Sequence, residues 1–184
     1  MQFISAFIAS AAALTASALP QTTPIAADAK FGLITIRSGS TIHNQAIQAA
    51  RSSLIVGAQS QNATCDVDHN FATFYISNEE LKLYTPEGHP QTIFVDRSGM
   101  GMGKIGYVTG EEGLGRNWET KGWALTERNT LEFKGTGIQA CPRSIDSAWS
   151  IWLAGVKEPG HNQNCTSVLA AAIATDAPIA CTYT

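Results

Sequence analysis

Thr130-Leu131-Glu132-Phe133-Lys134 alternates apolar with polar side chains. Leu131 and Phe133 fall on one face and Glu132 and Lys134 on the other, the period of a half-buried β-strand rather than of a helix. Leu81-Lys82-Leu83-Tyr84 repeats the plan. Working outward, residues 31–36, 71–76, 92–95, 105–109, 123–125 and 149–153 are short and rich in β-branched or aromatic side chains. Gly, Pro, Asn, Asp or Ser bounds each of them, as strands require. Pro86-Glu87-Gly88, Ser98-Gly99, Gly110-Glu111-Glu112-Gly113 and Pro159-Gly160 supply the turns between. Two stretches also have a helical reading. Ile42, Ala46 and Ala50 recur every fourth position, and residues 167–174 are alanine-rich. Both are short and read equally well as strands. About ten short strands with no long helix predict an all-β single domain, a sandwich or a barrel, with a β-trefoil as the alternative. Three segments share a polar turn followed by a leucine, at Leu54, Leu81 and Leu131. Their unequal spacing fits ordinary hairpins and counts against a tandem or three-fold array. Residues 19–29, rich in Pro, Thr and Ala without periodicity, are expected to form a loose N-terminal tail before a β domain at 30–184.

The first eighteen residues read as a secretory leader. From Phe3 to Leu14 the side chains are almost wholly apolar or small, with no charge. Ala16-Ser17-Ala18 then places small residues at the −3 and −1 positions of a signal-peptidase site, so cleavage is expected after Ala18. The leader has no Lys or Arg ahead of the apolar run, which leaves the α-amino group as its positive charge. The run falls short of the roughly 20 apolar residues that span a bilayer. The 184 residues less this leader suit one domain with a real core. A net charge of −3 and no Lys/Arg run argue against nucleic acid or an anionic membrane as partner.

Export makes the cysteines structural. Cys65, Cys141, Cys165 and Cys181 are an even set with no C-x-x-C, so two disulfides are expected, with three connectivities open. Asn62-Ala63-Thr64 and Asn164-Cys165-Thr166 are N-glycosylation acceptors in polar, turn-like stretches, and glycans are expected on Asn62 and Asn164. Early pairing of Cys165 can shield the second. A GPI signal needs a long apolar C-terminus. Here Asp176, Pro178, Cys181 and Thr182-Tyr183-Thr184 follow the apolar 167–174 run, so no membrane anchor is expected.

Several motifs invite a catalytic or cofactor reading and fail it. Gly101-Met-Gly103-Lys-Ile-Gly106 matches the dinucleotide fingerprint, but residues 105–110 read as a strand where a helix must begin. A P-loop fails because Ile105 follows Lys104 and Ser98 stands at the first glycine position. Asp66-Val67-Asp68-His69-Asn70 opens like a calcium loop, but Phe71 and Ser77 stand where glycine and glutamate are needed. A looser pair, Asp66 and Asp68, is weighed against a solvated acidic loop. His43, His69, His89 and His161 show no ligand spacing. There is no G-x-S-x-G and no spare cysteine nucleophile, and sequence spacing in a β fold cannot place a carboxylate pair. No catalytic residue, metal or cofactor is therefore expected. Trp118, Trp123 and Trp152 offer a sugar-stacking platform, weighed against a role in the core.

Phe31-Gly-Leu-Ile-Thr-Ile-Arg-Ser-Gly-Ser-Thr-Ile-His43 carries a resemblance, as do Gly137-Ile-Gln-Ala-Cys141-Pro142, the Trp strand at 149–153, Cys165 after an Asn-rich loop and the Cys-Thr-Tyr-Thr end. Together they resemble the PhiA family, secreted cell-wall proteins of filamentous ascomycete fungi associated with phialide and conidium development. The likeness spans most of the mature chain. It implies a non-enzymatic, glycosylated wall protein with no catalytic residues to carry over, and a part in stress protection. The expected partners are wall polysaccharide or other wall proteins, with the chain itself a monomer. The readings held beside it are a secreted binder or effector of glycan or protein, and last a polysaccharide hydrolase. Among the disulfide connectivities, Cys141–Cys165 with Cys65–Cys181 is favoured, with Cys141–Cys181 and Cys65–Cys165 among those left open.

Overall fold

A computed structural model describes residues 23–110 and 114–184. The described chain is almost entirely β-structure. Its strands are β1 (Phe31–Ile36), β2 (Gln45–Ala50), β3 (Ser53–Val56), β4 (Thr64–Cys65), β5 (Thr73–Ser77), β6 (Glu80–Leu83), β7 (Gln91–Asp96) and β8 (Lys104–Thr109). There follow β9 (Trp118–Glu119), β10 (Trp123–Leu125), β11 (Leu131–Phe133), β12 (Ile138–Cys141), β13 (Trp149–Leu153), β14 (Thr166–Ala174) and β15 (Cys181–Thr182). Single 3₁₀ turns at Ile145–Ser147 and Pro159–His161 interrupt them.

Antiparallel pairing runs β14-β12-β13-β8-β3-β2-β1-β5-β6-β7-β9, and the added pairs β14–β1 and β8–β7 close the sheet into a nine-strand barrel. Closure removes the exposed edges that an open sheet would present. The barrel is thus the expected fold; the sandwich and trefoil alternatives are not. In the β1–β14 ladder, Leu33 faces Ala172 and Thr35 faces Ala170, so larger side chains on β1 meet small ones on β14. Val168, Ala170 and Ala172 are buried at every second position. The alanine-rich run is therefore a strand, because six ladder pairs with β1 outweigh its intrinsic helix propensity. The other doubtful stretch divides into a turn holding buried Ile42 and strand β2.

The opening stretch of the sequence reading forms β11, paired with β10 as a separate two-stranded ribbon (Trp123↔Phe133, Leu125↔Leu131). Its alternation has the expected sense, with Leu131 and Phe133 buried in the main core beside Phe31, Phe74 and Leu81. The Gly101-x-Gly103-x-x-Gly106 run is the β7–β8 hairpin connection. Gly103 N–H donates to the Asp96 carbonyl at 2.7 Å, and the chain enters β8 instead of a helix. Gly106 sits where a Cβ would come within 2.7 Å of the Ser52 carbonyl oxygen and Phe94 Cζ, so close strand approach explains it.

Residues 23–30 carry no strand, yet they are held. Ile25 N–H donates to Asn129 Oδ1 (3.0 Å), Asn129 Nδ2 donates to the Thr23 carbonyl (2.9 Å), and Ile25 packs against the core. That part of the expected loose tail is docked. Residues 19–22, like the leader 1–18 and its cleavage point, lie outside the described residues.

The disulfides are Cys65–Cys181 and Cys141–Cys165, the favoured pairing. The first joins β4 to β15, which are themselves paired through Cys181↔Cys65 and Thr182↔Thr64. The chain then drives Tyr183 into the core, 3% exposed. Buried Gln91 holds its backbone on both sides: Gln91 Nε2 donates to the Tyr183 carbonyl (2.9 Å), and Tyr183 N–H donates to Gln91 Oε1 (3.0 Å). Thr73 N–H reaches the Tyr183 hydroxyl at 3.2 Å. The Thr184 carbonyl accepts from Ser52 N–H (2.9 Å) and from the Tyr107 hydroxyl. Burial raises the pKa of both phenols, Tyr183 to about 12.

Candidate functional site

The tryptophans do not assemble a platform. Trp123 is 1% exposed and packs on Phe133 with ring centroids 4.9 Å apart, so it belongs to the core. Trp118 stacks flat on Phe94 at 3.7 Å between centroids, at an interplanar angle of 1°. Gly115 lies against the indole, where a Cβ would come within 2.8 Å of it. Trp152 lies on the opposite strand face from buried Ile151 and Leu153, as the alternation of β13 requires. Its indole N–H donates to Ser150 Oγ at 2.8 Å, and Gly160 crosses close to its ring. Buried Trp123 cannot join half-buried Trp118 and Trp152, so the sugar-stacking platform of all three is corrected.

Beside Trp118 lies an ionic group. Arg97 grips Glu119 bidentately, Nε to Oε1 at 2.7 Å and Nη2 to Oε2 at 2.8 Å, while Lys134 Nζ donates to Oε2. These bonds, Arg97's first and Lys134's second, hold the Glu119 carboxyl down to about 2 against a usual value of 4.5. A carboxylate whose folded pKa is depressed stabilises the fold above its unfolded pKa and loses that contribution as pH falls through the folded one. Stability should therefore decline from about pH 4.5 to about pH 2, and Glu119→Gln should flatten the decline. Thermal melts across that range compare the two; parallel curves would show that the trio does not couple to folding. Glu80 is also lowered: burial opposes ionisation, but hydrogen bonds with Lys82 and Thr120 outweigh it. The carboxyl groups resolved as displaced thus both move away from the raised value of a general acid.

The sequons are well placed for modification. Asn62 and Asn164 are both exposed and both occupy left-handed turn positions, φ 53° and 59°. Thr64 is exposed, whereas Thr166 is half-buried next to bridged Cys165.

Sequence reasoning missed a group around the C-terminal clamp, the Cys65–Cys181 bridge with the hydrogen bonds that hold Tyr183 and Thr184. Among the described residues, the metal-ligating side chains that gather are Cys65, His69 and Cys181, with one ligand atom of each within 4.8 Å of the others. The two sulfurs are bonded to each other, so they are not the thiolates a metal would need. Asp66 and Asp68 are exposed and stand outside this group. His43 accepts the Arg37 N–H through Nδ1, and His89 and His161 are exposed. A cavity of about 430 Å³ is lined by the 25–29 segment together with Phe31, residues 76–79 and residues 123–125. Asp28 and Glu79 are the titratable residues that line it, near Ile25, Phe31 and Trp123.

The model of the PhiA-like secreted proteins matches residues 31–184, the whole barrel with its clamp. The chain belongs to the PhiA family. Its similarity to named relatives runs end to end. It is 47% identical to the cell wall protein phiA of Aspergillus fumigatus over 186 residues, covering 100% of both chains. It is 48% identical to that of Emericella nidulans over 179 residues, covering 96% of this chain and 98% of that one. It is 35% identical to that of Arthroderma benhamiae over 193 residues, covering 100% and 98%. No solved structure matches the chain.

Proposed function

We propose that this secreted protein is a non-enzymatic structural component of the fungal cell wall, working in asexual sporulation where phialides and conidia form. The observation that carries the reading is end-to-end similarity to relatives named cell wall proteins. The structure supports it physically. A closed barrel with its interior packed and its last residues clamped offers a durable module, and persistence in a wall needs no turnover. The leader is removed after Ala18, the β domain covers residues 30–184, and Asn62 and Asn164 carry glycans that enlarge the polar outer surface. Its contacts are wall polysaccharide and other wall proteins, and the protein contributes to stress protection through the wall it builds.

Fractionation tests this. The protein should sediment with purified hyphal or conidial walls and come off in part with detergent, salt or reductant, and gene deletion should disturb spore-bearing structures more than nutrient use. Recovery wholly from the medium would favour a secreted binder or effector instead. One observation favours a hydrolase as the second reading: Asp28 and Glu79 line one cavity. Release of soluble sugar from wall glucan or chitin, lost in Asp28→Asn or Glu79→Gln, would overturn the non-enzymatic reading.

A further inference from the structure

The two disulfides differ in what faces their sulfurs. His69 Nδ1 lies 2.8 Å from the Val67 carbonyl, so that nitrogen carries a proton and donates it. The imidazole also packs on Phe71, with ring centroids 4.4 Å apart. These contacts fix the ring and aim Nε2 at Cys181 Sγ, 3.6 Å away. At the other bridge, the polar neighbour of Cys165 Sγ is the Asn162 carbonyl at 3.6 Å, which has no proton to give. Access is asymmetric at both bridges, Cys65 and Cys165 being half-buried and Cys181 and Cys141 0% exposed, so the imidazole is what sets the clamp apart. An incoming thiolate meets Cys65 first. The sulfur then expelled is that of Cys181, the one beside the imidazole.

We propose that Cys65–Cys181 is a thiol-exchange site, with Cys65 the point of covalent attachment and His69 the acid for the leaving sulfur. The external thiolate forms a bond to Cys65 Sγ, and the electron pair of the Cys65–Cys181 bond departs with Cys181 Sγ. His69 Nε2 relays a proton from solvent to that sulfur, and the ring returns to its Nδ1–H form. The external thiol is thereby oxidised into a mixed disulfide and Cys181 is reduced to a thiol, so electrons and protons balance. Stabilising the leaving thiolate accelerates exchange. Asp66 and Asp68, exposed and within three residues of Cys65, add negative charge to this part of the surface and favour neutral or cationic thiols over anionic ones. The thiol comes either from a small molecule, which loosens the clamp, or from a cysteine of a neighbouring wall protein, which ties the barrel to it. The second source rests on the wall reading; the chemistry at Cys65 does not.

The test uses the purified secreted protein, exposed to cysteamine or to mercaptoacetate, quenched by alkylation at timed intervals and mapped by peptide mass spectrometry. The Cys65–Cys181 bridge should open about tenfold faster than Cys141–Cys165, with the adduct on Cys65 and the alkyl label on Cys181. His69→Phe should slow this opening about tenfold and leave the Cys141–Cys165 rate unchanged, which also reports an intact fold. His69→Asn serves the same comparison should the Phe variant fail to secrete. Cysteamine should outrun mercaptoacetate, and Asp66→Asn with Asp68→Asn should narrow that gap. Equal opening rates, an adduct on Cys181, or a His69 variant with wild-type kinetics would overturn the proposal. Non-reducing separation of wall extracts distinguishes the sources: a disulfide-linked conjugate of higher mass released by cysteamine indicates a protein thiol, and a monomer bearing a small adduct indicates a free one. A protein found wholly in the medium would defeat the wall reading and leave the purified-protein rates to decide the site.

Discussion

Deleting Cys181–Thr184 is expected to leave a chain that does not fold, seen as loss of secretion and of the near-UV signal of its aromatic side chains. The four residues act together. Cys181 closes a disulfide across 116 positions, and a loop of that size is worth about 4 to 5 kcal/mol in the chain-entropy account. Tyr183 adds about 2 to 3 kcal/mol of aromatic burial. Its loss would also leave the oxygen and one N–H of the Gln91 amide, 1% exposed, without the Tyr183 backbone, the other N–H keeping Thr109 Oγ1 (2.9 Å), at about 1 to 3 kcal/mol for each orphaned group. Together these approach or exceed the 5 to 15 kcal/mol by which a domain is stable at all. Graded variants separate the contributions. Tyr183→Phe keeps the ring and removes the acceptor for Thr73 N–H, so it should cost about 1 to 3 kcal/mol. Tyr183→Ala should cost about 3 to 5 kcal/mol. A truncated chain that is secreted and melts within a few degrees of the full one would show that the plug is dispensable.

Period-two alternation made the strands legible where one face is wet. The stretches at 130–134 and 81–84 were readable because polar and apolar residues take turns, and β1, β10 and β13 because β-branched and aromatic residues crowd between turn residues. β12 was not, since Ile138, Gln139, Ala140 and Cys141 are all buried and show no contrast. Its buried Gln139 is satisfied by donating to the carbonyls of Leu153 and Val156, partners that no local pattern announces. β4, β9 and β15 are two residues each, too short to show a period. Their place is set by long-range pairing: β15 exists because Cys181 and Thr182 meet Cys65 and Thr64. The clamp was half legible. The cysteines and their pairing were anticipated, but the approach of His69 to Cys181 spans 112 positions. The one local hint was that His69 shares a loop with Cys65. Gln91 and Tyr183 were not singled out at all, because their importance lies in mutual satisfaction inside the barrel.

Trp123→Ala and Trp123→Phe should part company sharply. Removing the indole from a site 1% exposed, packed on Phe133, creates a void in the centre of the main cluster and should cost about 3 to 5 kcal/mol. Phenylalanine refills most of that space. It also deletes the indole N–H, which is buried and has no hydrogen-bond partner. An orphaned buried donor costs about 1 to 3 kcal/mol, so its removal offsets much of the smaller ring's lost contact. Trp123→Phe should therefore lie within about 1 kcal/mol of the wild type, and Trp123→Ala several kcal/mol below it, by denaturant unfolding with intact disulfides. The comparison also probes the cavity against which Trp123 lies, which Asp28 and Glu79 line. If Trp123→Phe proves nearly as damaging as Trp123→Ala, the indole N–H is bonded in solution to something in that cavity. The space would then be a hydrated or ligand-binding site rather than a packing defect between the 25–29 segment and the barrel.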